Sequence, residues 1–320
     1  MKIEKYRPDY YERWNKFIDI SNNGNIFHKL DFLSYHGDKF KNNEHNLVWI
    51  ENEEIIAVMP FAIFEIEGEL IGRSPYGASY GGIIYKQDIS FIKAEQIFIA
   101  LKEYCLRESI GKLIITNTPT FYHLRHCEYF DFIFLMNNGK LVNSDLTAYI
   151  QINEKTQEYF DRSCKKAIRK SIKNELLFEQ NNHLESFYEI LLINREKHNA
   201  KPVHTKADLE YLINTLNDQV KLFMIYYNNI PIAGSIVFIC NNHVLLDFYW
   251  AHLEEYKHLR PVNYLVYKMS NWALEKGYKI FDFGTQTVNM KPNYGNTRFK
   301  ETFGSRGLLR KTYELNFKPS

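Results

Sequence analysis

Two kinds of apolar spacing run along this 320-residue chain. Between Lys221 and Leu253, apolar residues come in short runs, KLFMIYYN, SIVFIC and HVLLDFYWAHL, separated by NIPIAG and by Asn241-Asn242. Runs of that length, rich in β-branched and aromatic residues and punctuated by Asn, Pro and Gly, predict three antiparallel strands joined by turns. From Pro261 the spacing changes. Val262, Leu265, Val266, Met269, Trp272 and Ala273 recur every three or four positions. That predicts a helix over 261–276, with Pro261 in its first turn and Gly277 as its stop. The strand YKIFDFGTQT follows, and a strand–helix–strand crossover favours a parallel pair.

The first half has the same order. NLVWIEN, EIIAVMPFAIFEIE and ELIGRSPYGASYGGIIY read as strands, followed by a helix from about Ser90 to Glu108, Gly111, and the strand KLIITNT. Ala94, Ile97, Phe98, Leu101, Tyr104 and Cys105 form its apolar face. One constant offset separates Ala94 from Val262, Ile97 from Leu265 and Tyr104 from Trp272. Matching helix phase, with matching strand order on both sides, argues for two copies of one fold. The expected domains are 1–145 and 146–320.

Between the copies lies DRSCKKAIRKSIKNELLFEQ. Lys165, Lys166, Arg169, Lys170 and Lys173 fall within an arc of about 140° on a helical wheel, opposite Cys164, Ala167, Ile168 and Ile172. This is a solvated basic face or the border of a cleft that attracts a phosphate-bearing ligand.

Composition narrows the classes. Aromatic residues are 16% of the chain, so cores or clefts should be ring-rich; the net charge of +2 gives no reason to expect a nucleic-acid or membrane partner. No apolar run approaches the roughly 18 residues of a membrane span. The first residues, MKIEKYRPDYYERW, are polar and unlike a signal peptide. Four dispersed cysteines form no Cys-x-x-Cys pair, so neither a zinc site nor a disulfide framework is signalled, and a reducing cytoplasm is expected. His123, His126 and Cys127 in HLRHC lack the second cluster a metal site needs.

The Asp-Phe-Gly of KIFDFGTQT matches a protein-kinase magnesium motif. Its required company is missing: there is no His-Arg-Asp, no Ala-Pro-Glu, and Gly77–Gly82 has the wrong spacing for a phosphate loop. Asp282 also lies too near the end to leave room for a kinase's helical lobe.

Antiparallel strands, a crossover helix and a parallel strand resemble the GNAT acyltransferase fold, and two copies in one chain resemble its FemAB-like branch. CKKAIRKSIKN looks like that branch's basic helix, INREKHNAKP like its Arg-x-Lys-His segment, RPVNYLVYKMSNWALEKGYKIFDFG like its pyrophosphate helix and following strand, and NTRFKETFGSRG like its Phe-Lys-x-x-Phe-Gly ending. The resemblance covers most of the chain. The fold class expected is α/β with mixed sheets: two tandem GNAT-like domains with a cleft between them.

That resemblance implies a function. Within the branch, the chain is most similar to N-acyltransferases for nucleotide-linked amino sugars of bacterial surface polysaccharide. It implies a coenzyme A thioester as co-substrate, carrying an acetyl or 3-hydroxybutanoyl group, a dTDP-linked amino-deoxy sugar as acceptor, direct attack on the thioester, and neither metal, nucleic acid nor membrane as partner. The alternatives are a FemX-type aminoacyl-tRNA-dependent transferase acting on a peptidoglycan precursor, and a non-catalytic binding protein.

Individual residues follow. Lys257, His258 and Arg260 crowd the start of the crossover helix, where free N–H groups favour anions. With Asn263, Asp282 and Gly284 they are the expected cofactor-binding set, although the glycines of the usual GNAT phosphate loop are replaced by Pro261. Strand alternation places Asp247, Tyr249 and Ala251 on one face. Asp247 is then a candidate base and Tyr249 a candidate proton donor to sulfur. His198 and His204 are alternative bases. Tyr76, Tyr80 and Gly81 are expected to receive an acceptor ring, and Arg195 and Lys300 (with Arg298) to meet substrate charge.

Overall fold

The computed structural model describes residues 1–197 and 199–317. The chain divides into two compact units, residues 1–145 together with the stretch from Leu309 onward, and residues 146–308. The expected single break after 145 did not include this return of the C-terminus.

In the first unit, β1 (Lys2–Lys5), β2 (Leu47–Glu51), β3 (Glu54–Met59) and β6 (Ile84–Tyr85) form one antiparallel sheet in the order β1-β2-β3-β6. β4 (Ala62–Ile66) and β5 (Glu69–Ser74) pair antiparallel in a second sheet. EIIAVMPFAIFEIE is therefore two strands in two sheets, parted at Pro60-Phe61, since proline supplies no ladder donor. Helices α1 (Tyr11–Ile20) and α2 (Leu30–Leu33) precede β2. Helix α3 (Phe91–Arg107), capped by the Ser90 hydroxyl on the Lys93 amide, carries the chain from β5 to the parallel strand β7 (Ile110–Thr116). Its buried residues are Ala94, Ile97, Phe98, Leu101, Tyr104 and Cys105, the expected face. Each large apolar side chain so buried contributes roughly 1.5–3 kcal/mol. Helix α4 (Tyr129–Met136) packs beside α3, and Thr312–Asn316 of the last strand pair antiparallel with β7.

The second unit has the same plan. β8 (Lys140–Gln151) leads to α5 (Arg162–Lys173), whose Asp161 cap accepts from the Cys164 amide at 2.7 Å. β9 (Leu177–Asn181), α6 (Leu184–Glu196) and α7 (Lys206–Thr215) follow. β10 (Val220–Tyr227), β11 (Ile230–Ile239) and β12 (Val244–His252) then run antiparallel beside β9. NIPIAG, read as a turn, is mostly the start of β11. Helix α8 (Pro261–Glu275) crosses to β13 (Ile280–Thr285), which lies parallel to β12 and antiparallel to β8. Helix α9 (Tyr294–Glu301) follows.

The apolar sides of α5 and α8 pack on one face of this sheet, where Leu265, Val266, Met269 and Ala273 meet Phe223, Val237, Leu245 and Phe281. Helix α6 lies on the opposite face. Its approach is close at Gly234, where a Cβ would stand 2.7 Å from Phe187 and 2.6 Å from Met224 Sδ. No helix among the described residues is long and apolar enough to cross a membrane.

Candidate functional site

The geometry of the site begins with an irregularity in β12. Against β11, Ile236 stands opposite Tyr249 and Val237 opposite Asp247, so Phe248 is an extra residue in the ladder. Neighbouring residues of a strand point to opposite faces and cross-strand partners to the same face. A one-residue bulge therefore reverses the alternation beyond it. Leu245 and Asp247 point to the α5/α8 face before the bulge, and Trp250 and His252 after it. The expectation that Asp247, Tyr249 and Ala251 share a face fails for this reason. Tyr249 points to the α6 side, where its hydroxyl accepts from the amides of Val203 (3.0 Å) and His204 (3.2 Å) and meets His204 Nδ1 at 3.0 Å.

Beside the bulge the sheet opens. The parallel pairing of β12 with β13 ends at Leu246 and Asp282. On the α8 face of the second unit lies a cavity of about 740 Å³. Trp250 and His252 of β12, Ser163, Lys166 and Lys170 of α5, Asn194 of α6, and Asn296 and Phe299 of α9 contribute to its wall, with Lys257 and the residues from Arg260 to Asn263. Four of these side chains, Lys166, Lys170, Lys257 and Arg260, are cations, and among the described residues no carboxylate lines the wall.

Helix α8 adds to this field. Its N-cap, Arg260, is left-handed at φ 62°, Pro261 occupies the first turn, and no side chain caps the helix. The carbonyls of Leu259 and Arg260 are held instead by Ser171 Oγ, each at 3.0 Å. A helix N-terminus without a side-chain cap favours an anion, and the surrounding cations reinforce it.

His252 is the wall's titratable group near neutrality. Burial lowers its pKa against the opposing pull of Glu254, whose carboxylate lies 3.7 Å from Nε2. Nε2 is buried and makes no hydrogen bond among the described residues. The imidazole is thus neutral at pH 7, and its ring lines the cavity.

The expected site residues divide sharply. Lys257, Arg260 and Asn263 are brought together at the cavity. Lys257 also pairs with Glu254 at 2.8 Å. His258 is exposed and turned to the Glu255 carbonyl. Asp282 is wholly buried; its Oδ1 accepts from Thr147 and from the Gly284 amide, each at 2.7 Å, closing the end of β13 where Gly284 adopts φ 71°. These contacts make both structural, away from the wall. Lys300, expected at a substrate diphosphate, is 2% exposed and donates to the carbonyls of Gly284 and Thr285. Burial lowers its pKa to about 8. Asp247 accepts from Ser235 Oγ at 2.6 Å, and burial raises its carboxyl to about 7. It sits under the wall, not in it.

Arg195 lies with its guanidinium 5.6 Å from the Tyr249 ring centre, on the α6 side. In the first unit Tyr76 and Tyr80 are buried. Tyr76 bonds Asn46 Oδ1 at 3.1 Å, and Tyr80 packs on Phe27 and Tyr122 under the Arg310 guanidinium, so neither ring is free to stack on a ligand. At Gly81 a Cβ would meet the Pro75 nitrogen at 2.4 Å, so this glycine answers to its own chain. His198 lies outside the described residues. Trp250, His252, Asn194 and Phe299 were missed by sequence reasoning. The alternation rule passed over the first two because nothing in the residue pattern marks a bulge at Phe248.

Comparison with known proteins matches this architecture. Residues 161–301 match the acetyltransferase (GNAT) domain family, so the second unit is a GNAT-type acyltransferase domain. The solved structure of FemX superposes with a TM-score of 0.73 at 12% identity, covering 99% of this chain and 97% of that one. L-PGS from Bacillus licheniformis gives 0.60 at 10% identity, over 98% and 92%. A tandem GNAT protein of the clavulanic acid biosynthesis pathway gives 0.52 at 6%, over 100% and 99%. The chain has the FemX-like tandem GNAT fold.

In sequence, it is 26% identical over 145 residues to the lipid II:glycine glycyltransferase of Staphylococcus haemolyticus, a match spanning 44% of this chain and 34% of that protein. The group named there is an amino acid and the acceptor a peptidoglycan precursor. This overturns the expected transfer from acyl-CoA to a nucleotide-linked amino sugar, together with those expected partners. The net charge of +2 over the whole chain conceals the cations gathered at one cavity.

Proposed function

We propose that this chain is an aminoacyltransferase that takes an aminoacyl group from a charged tRNA and places it on an amine of a peptidoglycan precursor. The observation that carries this reading is the cavity beneath β12, with four cations and an uncapped helix N-terminus on a wall that has no carboxylate among the described residues. Such a wall suits a donor whose leaving group bears phosphates. The GNAT match and the glycyltransferase relative support the reaction class.

In that reaction the acceptor amine attacks the ester carbonyl, the amide C–N bond forms, and the ester C–O bond breaks. The ribose hydroxyl leaves with a proton. His252, whose imidazole lines the cavity, receives the amine proton, and the bulged strand around Phe248 lies beside the reacting carbonyl. Trp250 and Phe299 give the aminoacyl group an apolar wall and keep water from the ester.

The test is transfer of a radiolabelled amino acid from charged tRNA to lipid II or to its nucleotide-linked precursor, with phosphatidylglycerol as a third acceptor. Labelled precursor, lost when the ester is hydrolysed beforehand, is the expected result. Labelled phosphatidylglycerol alone overturns the acceptor. Acceptor-dependent thiol release from an acyl-CoA, with no transfer from charged tRNA, overturns the donor.

A further inference from the structure

A second hollow, of about 450 Å³, adjoins the first along α5 and is lined by Arg162, Lys165, Lys166 and Arg169. Lys166 belongs to both. Six of the twelve residues of α5 are cations and none is an acid. Among the described residues, none of the six is in an ion pair with a carboxylate. Lys165 alone is engaged, with the Glu158 carbonyl at 3.0 Å. Unpaired like charges on one helix repel one another, so the row destabilises the free protein slightly. Its length is also informative. A cation at every third or fourth residue gives roughly one charge per 5 Å over about 18 Å. A single phosphate or pyrophosphate needs one cluster, whereas a row leading into a cavity matches a polymer of phosphates.

We infer that α5 is a track for the phosphate backbone of the RNA donor near its acceptor end: Arg162, Lys165 and Arg169 hold successive phosphates, and Lys166 passes the terminal nucleotide into the cavity. This deepens the function proposed above and rests on it. An anionic membrane is the rival partner, and the fold disfavours it. A helix that lies in a bilayer surface needs an apolar face to insert. Cys164 and Ile168 of α5 are already spent on the core, which leaves Ile172 as its one exposed large apolar side chain, too little to insert.

The test uses the full chain and a fluorescent RNA hairpin with a single-stranded CCA end. The variant Arg162→Gln/Lys165→Gln/Arg169→Gln leaves the cavity wall and the core intact, and its melting temperature is checked first. RNA affinity is expected to fall at least tenfold. The slope of log affinity against log salt should become shallower by about two, near 0.7 for each single-strand contact removed. A short aminoacyl-nucleotide donor that lacks the upstream phosphates should be used equally well by both proteins. Unchanged RNA affinity with intact transfer overturns the track and leaves the function standing. Lost RNA affinity in a protein that transfers nothing from charged RNA supports the track and sinks the function. Binding to phosphatidylglycerol vesicles that the triple variant abolishes, with RNA binding unaltered, overturns the track in favour of a membrane.

Discussion

Lys300 Nζ donates to the Thr285 carbonyl at 2.7 Å, so the amine of an α9 side chain ends inside the fold, at the point where β13 leaves the sheet. The Gly284 carbonyl is its second acceptor, at 3.1 Å, and Asp282 and Asp247 supply the compensating charge. Replacing it with methionine leaves two carbonyls without this donor and two buried carboxyls without their cation. Breaking a buried pair of this kind costs about 3–5 kcal/mol. Lys300→Met should lower the urea midpoint of unfolding by a corresponding amount; an unchanged midpoint would show that Lys300 does not hold this strand end.

His252 should govern the acid limb of transfer. Its neutral form is the active one and burial lowers its pKa, so activity should persist through neutrality and decline only below the ordinary histidine value near 6.5. His252→Gln should reduce kcat by roughly 10²- to 10⁴-fold and remove that limb, with little change in donor KM. A rate–pH profile of wild type and variant decides this.

Tyr249 belongs to the other side of the sheet, and its loss should read as stability. Tyr249→Phe leaves the Val203 and His204 amides short of an acceptor, at roughly 1–3 kcal/mol. Denaturation should show that drop while kcat stays within about threefold, because a stability change alone leaves the folded fraction near one. A thousandfold loss of kcat in a folded protein would return the hydroxyl to the chemistry.

Arg260 separates backbone from charge. At φ 62° a non-glycine residue is strained by roughly 1–2 kcal/mol. Arg260→Gly should raise stability by about 1 kcal/mol and still weaken donor binding, whereas Arg260→Ala weakens binding with no such gain. Paired melting curves and donor KM values test the contrast.

Buried groups in the two units should pull the acid response in opposite directions. In the first, burial pushes His28 down to about 3 and His123 to about 4. Between those values and 6.5 the unfolded chain binds protons that the folded one refuses, so stability falls as pH is lowered. In the second, Asp247 is raised to about 7, so the folded form holds a proton that the unfolded one releases between about 4 and 7. There Asp247 makes stability rise as pH is lowered, against the opposite pull of His252, whose pKa burial lowers, and Asp247→Asn should remove the rise. Hydrogen exchange at pH 4.5 and 6.5, resolved by segment, reads the two trends separately.

Much of the fold was legible because it rests on short-range periodicity. The buried face of α3 is the one its spacing gives, since a helix repeats every 3.6 residues whatever surrounds it. The basic helix and the crowded start of α8 were legible for the same reason. What escaped depends on partners far away in sequence. The bulge at Phe248 exists only relative to β11, and it exchanges Tyr249 for Trp250 and His252 on the cavity side. The pairing of Thr312–Asn316 with β7 links positions about 200 residues apart, which no local pattern records. Lys300, Tyr76 and Tyr80 misled because charge and aromaticity mark cores as well as sites when the partners are buried with them.

Helix α5 keeps its anchoring residues and its charges on separate sides. Substitutions on the charged side therefore escape the purge that marginal stability imposes on most mutations. This permits evolutionary drift in ligand preference along that helix while the framework stays fixed. Homologous chains should diverge there in the number and order of basic residues well before they diverge at Cys164 and Ile168.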